Sequence, residues 1–588
     1  MIAACLIVAG LGLAAAPWAI VAVRRLGGRL GATLVFASAL TVLLLASMIS
    51  GAAPVSLAAA MVTVALLSIT SGTAVLVRSG RTRRSRRPGR WLEWVAAGLG
   101  GVAWLVALGV ASAVPGAVRV GWVLAGDGFN NIELARLLAD ADGPFTGPDL
   151  NPAPLPALLL AVLGGAAGTT GDAVVVLAVL WSLGIVATCL VTGLLACTFI
   201  DPVRLRLRAL VAGVASLLPL TVLVGTLPMY WGFLNAALVA PIVIVTVFVL
   251  TDAARHPRAA LAAALLLITS ALVAWAPLAA VPAAAAVAIA MRFRVLLGAT
   301  RGVGMLAVLV PLVALGVVSV SVVVPAIFGS LPGFAADGIG FPALWAPLAV
   351  VAAGIAVVLL LGYRAHPDVR WSVTGWGAGV IAAIAGTVVL AAGDPSGYYP
   401  VKIVWFSVVG SGVVLVALLV GWLSRTSGGR LTLLPVLAAV GLAALLPVAA
   451  PGASPLRPAP AVLFSGGLWW GGAETERLVA IVTRDDAPAL LWRSGEPDEA
   501  LVDMWALLDA GGGFGGDKDL RLLAFDGYRA LRAGHWQGGD AGALCRPIER
   551  IDGLVVYTAD PGLAAEVEAA CDLPDPPVRL IPDTSQLR

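Results

Sequence analysis

Runs of about 18 to 25 apolar residues recur along this chain, and each is long enough to cross roughly 30 Å of hydrocarbon as a helix. No water is present inside a bilayer to satisfy backbone N–H and C=O groups, so such runs must close their hydrogen bonds within the segment. With 60% of its 588 residues hydrophobic and only 12% charged, the chain is far too apolar for a water-soluble protein. The expected fold is a polytopic α-helical membrane protein of about 14 transmembrane helices with a small α/β domain at its C-terminus.

The basic residues orient these helices. Twenty-two of the 37 Lys and Arg fall in short connections: Arg24, Arg25, Arg29; Arg78 to Arg90; Arg204, Arg206, Arg208; Arg255, Arg258; Arg292, Arg294, Arg301; Arg364, Arg370; and Arg425, Arg430. The alternate connections hold three: Arg119, Arg136 and Lys402. Cytoplasmic loops carry the excess of positive charge, so the first set is assigned to the cytoplasm of a plasma-membrane protein. The basic run at 78–90 then reads as a topology anchor, and no nucleic acid is expected as a partner.

Three regions follow. Residues 1–90 hold three helices nearly free of polar side chains, followed by the basic loop; 91–450 hold the main bundle, with a polar outer loop at 115–172; and 451–588 form the tail. The first span, Met1 to Val23, lacks a basic start and an obvious cleavage site, and reads as a retained helix with its N-terminus outside. A Pro-punctuated segment after Pro144 is too short to span and reads as a surface or partly embedded helix. A tight helical pair is expected to turn near Trp275 and Pro277. Fourteen crossings return the chain to its starting side, so the tail is expected to be extracytoplasmic. Within it LVAIVTR (478–484), PALLWRSG, LRLLAFDG and GLVVYTAD read as strands, and EALVDMWALLDAGG and GLAAEVEAACD as helices. Cys545 and Cys571 lie in this tail; a disulfide between them suits that compartment, although spacing alone does not set their distance.

Where chemistry can occur is narrowed by what is missing. The three His are scattered, no HExxH or Cys/His cluster is present, and no Ser-His-Asp order can be assembled, so a zinc site or hydrolase triad is not expected. Few ionisable residues lie within the apolar runs, which disfavours an ion-coupled transporter. Polar chemistry is concentrated in the outer loops, above all in GDGFNNIELARLL. There Asp127 precedes a short amphipathic helix and is either its N-cap or a reactive carboxylate. Phe129, Ile132, Leu134, Leu137 and Leu138 form its apolar side, with Asn131, Glu133, Arg136 and Asp140 on other faces. Lys402, preceded by Tyr398 and Tyr399, is the best outer cation for a lipid phosphate, its alternative being a lysine that merely snorkels to the interface. Tyr230 and Trp231 belong to an aromatic cluster that either anchors a helix at the headgroups or stacks on sugar.

Multiple spans, an outer-loop Asp before a short amphipathic helix, a Pro-rich second segment and an extracytoplasmic tail together resemble the GT-C glycosyltransferases, which use polyprenyl-phosphate sugars. The layout is most similar to actinobacterial cell-wall arabinofuranosyltransferases. That resemblance implies an inverting enzyme of cell-wall biogenesis. A polyprenyl-phosphate-linked sugar, arabinofuranose in the nearest family, is the expected donor and a cell-envelope glycan the acceptor, with membrane lipid around both. Asp127 matches the general base. Lys402 and Tyr399 are expected at the donor phosphate, and Asn130, Asn131, Glu133, Arg136, Tyr230 and Trp231 near acceptor or sugar. No cofactor is called for, and a divalent metal stays open: many relatives carry two adjacent acidic residues, whereas Asp127 stands between Gly126 and Gly128. The competing class is non-enzymatic, a lipid or glycan flippase or an envelope assembly scaffold. A flippase requires a polar path through the bundle.

Overall fold

A computed structural model describes residues 2–52, 56–79, 91–113, 123, 128–140, 153–164, 170–198, 200, 204–220, 229, 232–294, 303–325, 367–390, 402–404, 406, 407, 410, 414, 417, 463, 473–482, 487–492 and 541–581. Eight helical segments in these residues are long and apolar enough to cross a membrane. The protein is therefore a helical membrane protein with a small stranded region near its C-terminus. The last two of the fourteen helices expected from sequence span about 403–423 and 431–449; the first of these is described only in part and the second lies outside the described residues.

Three helices, α1 (Ile2–Leu26), α2 (Gly28–Ala52) and α3 (Leu57–Ser79), pack on one another at the start of the chain. The turn between the first two needs glycine twice. Gly27 takes φ +87°, and a Cβ on Gly31 would lie 2.6 Å from the Ala22 carbonyl carbon, so the helices meet backbone to backbone. Next come α4 (Trp91–Ala97) and α5 (Leu99–Ala113), α6 (Gly128–Asp140), α7 (Pro154–Val162), α8 (Thr170–Ala196), α9 (Leu205–Ala215) and α10 (Leu234–Asp252). Helix α10 is the hub: it packs against α2, α7 and α8 and is buried along nearly its whole length. Apolar on all sides, it is suited to the middle of a bundle rather than to its rim.

The segment after α10 folds back on itself. α11 (Pro257–Trp275) ends where Trp275 turns extended, with φ −167° and ψ 92°; a 3₁₀ turn at Ala276–Ala279 follows, and α12 (Ala280–Phe293) packs back on α11. The expected turn near Trp275 and Pro277 is present. α13 (Val303–Val318) packs on α11, and α14 (Pro367–Leu390) packs on α10 and α12. Leu66, Leu67, Val310, Val313 and Val320 on α3, α13 and the turn that follows α13 are exposed, a display that fits contact with lipid tails.

Two expectations are corrected. The Pro-rich helix α7 is not a surface element: Leu155, Leu158 and Leu160 are buried as it packs among α2, α6, α8, α10 and α11. Pro154 and Pro156 start it, Pro being tolerated in a first helical turn that has no N–H partner to lose. In the tail, LVAIVTR does not form a strand; α15 (Ala473–Val482) covers most of it. Leu478 and Val482, one turn apart, are both buried, so the period there is helical.

The tail strands are β1 (Ala489–Trp492), β2 (Val555–Thr558) and β3 (Val578–Leu580), all parallel in the order β1-β2-β3. Ala489 pairs with Val555 and Val556 with Val578. α16 (Cys545–Arg550) precedes β2, and α17 (Leu563–Cys571) crosses from β2 to β3. A disulfide joins Cys545 to Cys571, their Cα atoms 5.1 Å apart.

Candidate functional site

Side-chain contacts fix the level of each end of the bundle. At one end, Arg208 donates from Nε and Nη2 to both carboxylate oxygens of Glu93, at 2.5 and 2.8 Å, and from Nη1 to the Ile200 carbonyl. The Cys197 thiol donates to Glu93 at 3.7 Å and receives a hydrogen bond from Arg29 at 3.4 Å, while the Arg29 guanidinium sits 5.5 Å over the Phe248 ring. Burial pushes the Cys197 thiol above its ordinary value, with Arg29 acting against that shift. Four chain segments, the starts of α2, α4 and α9 and the end of α8, are tied here.

At the other end of α10, the Lys402 ammonium lies 3.5 Å over the Phe233 ring. Fifteen residues separate Phe233 from Phe248, about 22 Å of helix at 1.5 Å per residue. Lys402 is 6% exposed. A snorkelling lysine would reach for water, so that account does not describe it. A cation over a desolvated ring gains about 2 kcal/mol.

Four residues on from Lys402, the Phe406 ring meets Trp275, at the turn after α11, with ring centroids 5.6 Å apart. Of the buried Trp side chains elsewhere, Trp104 donates to Ser182 Oγ and Trp376 to the Val243 carbonyl, both at 3.1 Å, whereas Trp181 shows no hydrogen bond from Nε1 among the described residues. Trp275 Nε1 has no such partner among the described residues, although the residue is 4% exposed. Ser407 Oγ, next to Phe406, is likewise buried without one. Buried donors are normally satisfied, so the Trp275 N–H and the Ser407 hydroxyl are each open to an acceptor that the described residues do not supply.

The outer-loop residues are placed only in part. Asp127, Tyr230, Trp231 and Tyr399 lie outside the described residues, as do the side chains of Asn130 and Glu133. Gly128, the neighbour of Asp127, is held tightly at the start of α6: a Cβ there would meet the Val123 carbonyl oxygen at 2.3 Å and Leu177 of α8 at 3.6 Å. α6 is the expected amphipathic helix, with Ile132 and Ala135 buried against α7 and α8. Asn131 is half-buried. Arg136 is not on a solvated face: it is 8% exposed, one turn after Ile132 on the packed side. Phe233, Trp275 and Ser407 were not picked out as site residues from sequence, because nothing in their spacing relates positions so far apart. Among the described residues no cluster of His, Cys, Asp and Glu can hold a metal ion.

No protein-family profile matches the chain, and a comparison with curated proteins finds no match either.

Proposed function

We propose that this protein is a membrane glycosyltransferase that moves a sugar from a polyprenyl-phosphate donor to a cell-envelope glycan on the extracytoplasmic side. The observation that carries the reading is the buried Lys402 ammonium, backed by Phe233 and accompanied by the orphaned Trp275 N–H and Ser407 hydroxyl. A lipid phosphate offers acceptor oxygens to the Trp275 N–H and the Ser407 hydroxyl, and a fixed cation stabilises the charge that grows as the phosphate leaves. The arginines at the far end of α10 support placing Lys402 on the outer side, and the Cys545–Cys571 disulfide suits a tail in an oxidising compartment.

In this mechanism the acceptor hydroxyl hydrogen-bonds to Asp127 and attacks the anomeric carbon as its bond to the lipid phosphate breaks, with inversion. The hydroxyl turns acidic only as the new C–O bond forms, so a positioned carboxylate takes its proton in the transition state, a contribution of about 10² to 10⁴ in rate.

The flippase reading finds less support. Buried hydroxyls of Thr188, Thr192, Thr246, Thr269, Ser270 and Thr387 each donate to the carbonyl four residues earlier in their own helix, so these groups do not line a polar path.

Transfer assays in membranes test the proposal. Asp127→Asn should lose turnover by about 10² or more at near-normal donor affinity, and Lys402→Ala should weaken donor binding. Wild-type turnover in a properly inserted Asp127→Asn variant removes the catalytic assignment.

A further inference from the structure

The basic end of α12 and α14 carries a separate feature, independent of the transferase reading. The apolar span 257–293 ends at Phe293 and the span 370–389 begins at Arg370, so both reach their boundary at one level. There the Arg292 guanidinium lies 4.7 Å over the Trp371 ring and 5.5 Å over that of Phe293, and the two rings meet edge to face at 5.8 Å. Arg292, Arg294 and Arg370 are all exposed. Directly along α12 from this cluster, Val287 and Met291 expose 58% and 75% of their surface. Three cations at the rim of an apolar strip, one set over two aromatic rings, match a molecule with a negative head and a hydrocarbon body.

We infer that the end of the α12–α14 pair is a binding site for an anionic phospholipid, its headgroup phosphate on Arg292, Arg294 and Arg370 and its acyl chain along Val287 and Met291. The aromatic faces keep the Arg292 fork oriented, which a free surface arginine would have to order on binding. Basic clusters at the cytoplasmic ends of transmembrane helices recognise anionic headgroups in this way.

Full-length protein in mild detergent, titrated with phosphatidylglycerol or with phosphatidylcholine of the same chains and read by native mass spectrometry, tests this. Phosphatidylglycerol should bind in preference, and the double variant R292Q/R370Q should weaken that binding about 25-fold, from about 5-fold for each arginine near a charged headgroup. Equal binding of the two lipids, or an unchanged preference in the variant, overturns the site. Should the variant not be recovered folded, a salt series on the wild-type protein decides: the preference must shrink in high salt, and one that persists undiminished refutes the ionic headgroup contact. Inorganic phosphate at the lipid concentration should leave the adduct in place; its displacement would assign the arginines to free phosphate instead.

Discussion

Glu93 is gripped through both carboxylate oxygens by Arg208, and neither side chain reaches solvent. Replacing such a pair with apolar residues is often neutral, whereas removing one partner strands the other and costs about 3–5 kcal/mol. Glu93→Gln should therefore lower the unfolding temperature in detergent markedly, and Glu93→Leu combined with Arg208→Met should recover most of it. A Glu93→Gln protein that melts with the wild type would contradict the buried pair. In the sequence Glu93 is a single charge after a basic loop, and Arg208 one of many arginines. Their partnership across 115 positions is a property of the fold and leaves no trace in local pattern. Lys402 stood out in the sequence as a cation away from the basic connections; its burial on Phe233 was not legible, because hydropathy marks how apolar a segment is and not which ring faces it.

At the level of helices, contact is set by glycine. A Cβ on Gly100 would fall 2.0 Å from the Ser216 carbonyl oxygen, joining α5 to the end of α9, and one on Gly379 would fall 2.5 Å from the Val281 Cα, joining α14 to α12. Gly386, on the same helix as Gly379, has nothing within 4 Å of that position. Gly379→Ala and Gly100→Ala should each destabilise by about 1–3 kcal/mol, while Gly386→Ala should be neutral or gain about 0.5–1 kcal/mol from lower chain entropy in the unfolded state. Thermal melts of the three proteins separate packing from propensity; equal losses at Gly379 and Gly386 would show that approach of the helices is not the cause. The long apolar helices were readable because length and hydropathy suffice for them. α7 was expected as a surface or partly embedded helix because its prolines and short length argue against a span; the helix is there, but it is packed by neighbours far away in sequence. α15 was misread because a short run of Leu, Val and Ile fits either period.

For the molecule as a whole, the alternation of basic and neutral connections is the sequence signal from which the direction of each helix was expected, and Arg29 and Lys402 contact opposite ends of α10. Which helices touch was not readable, since α10 is apolar all round and presents no preferred face. In the tail, β2 was legible as a short run of β-branched and aromatic residues and α17 from its helical spacing; the three-residue β3 was too short to stand out. The Cys545–Cys571 bridge closes a loop with a sequence separation of 26, and loss of a bridge of this kind costs about 2–4 kcal/mol. A Cys545→Ser/Cys571→Ser protein should lose protease resistance in the tail while its membrane helices melt unchanged; a tail equally resistant to proteolysis would show that the bridge adds no stability.

The two cation–ring contacts at the ends of α10 also limit how the bundle can change shape. Sliding that helix lengthwise by one turn would move Phe233 off the Lys402 ammonium and Phe248 off the Arg29 guanidinium together, so no displacement along its axis is free of loss at both ends. Any working stroke of the protein must therefore leave this helix as a stationary axle, with its neighbours tilting or parting around it.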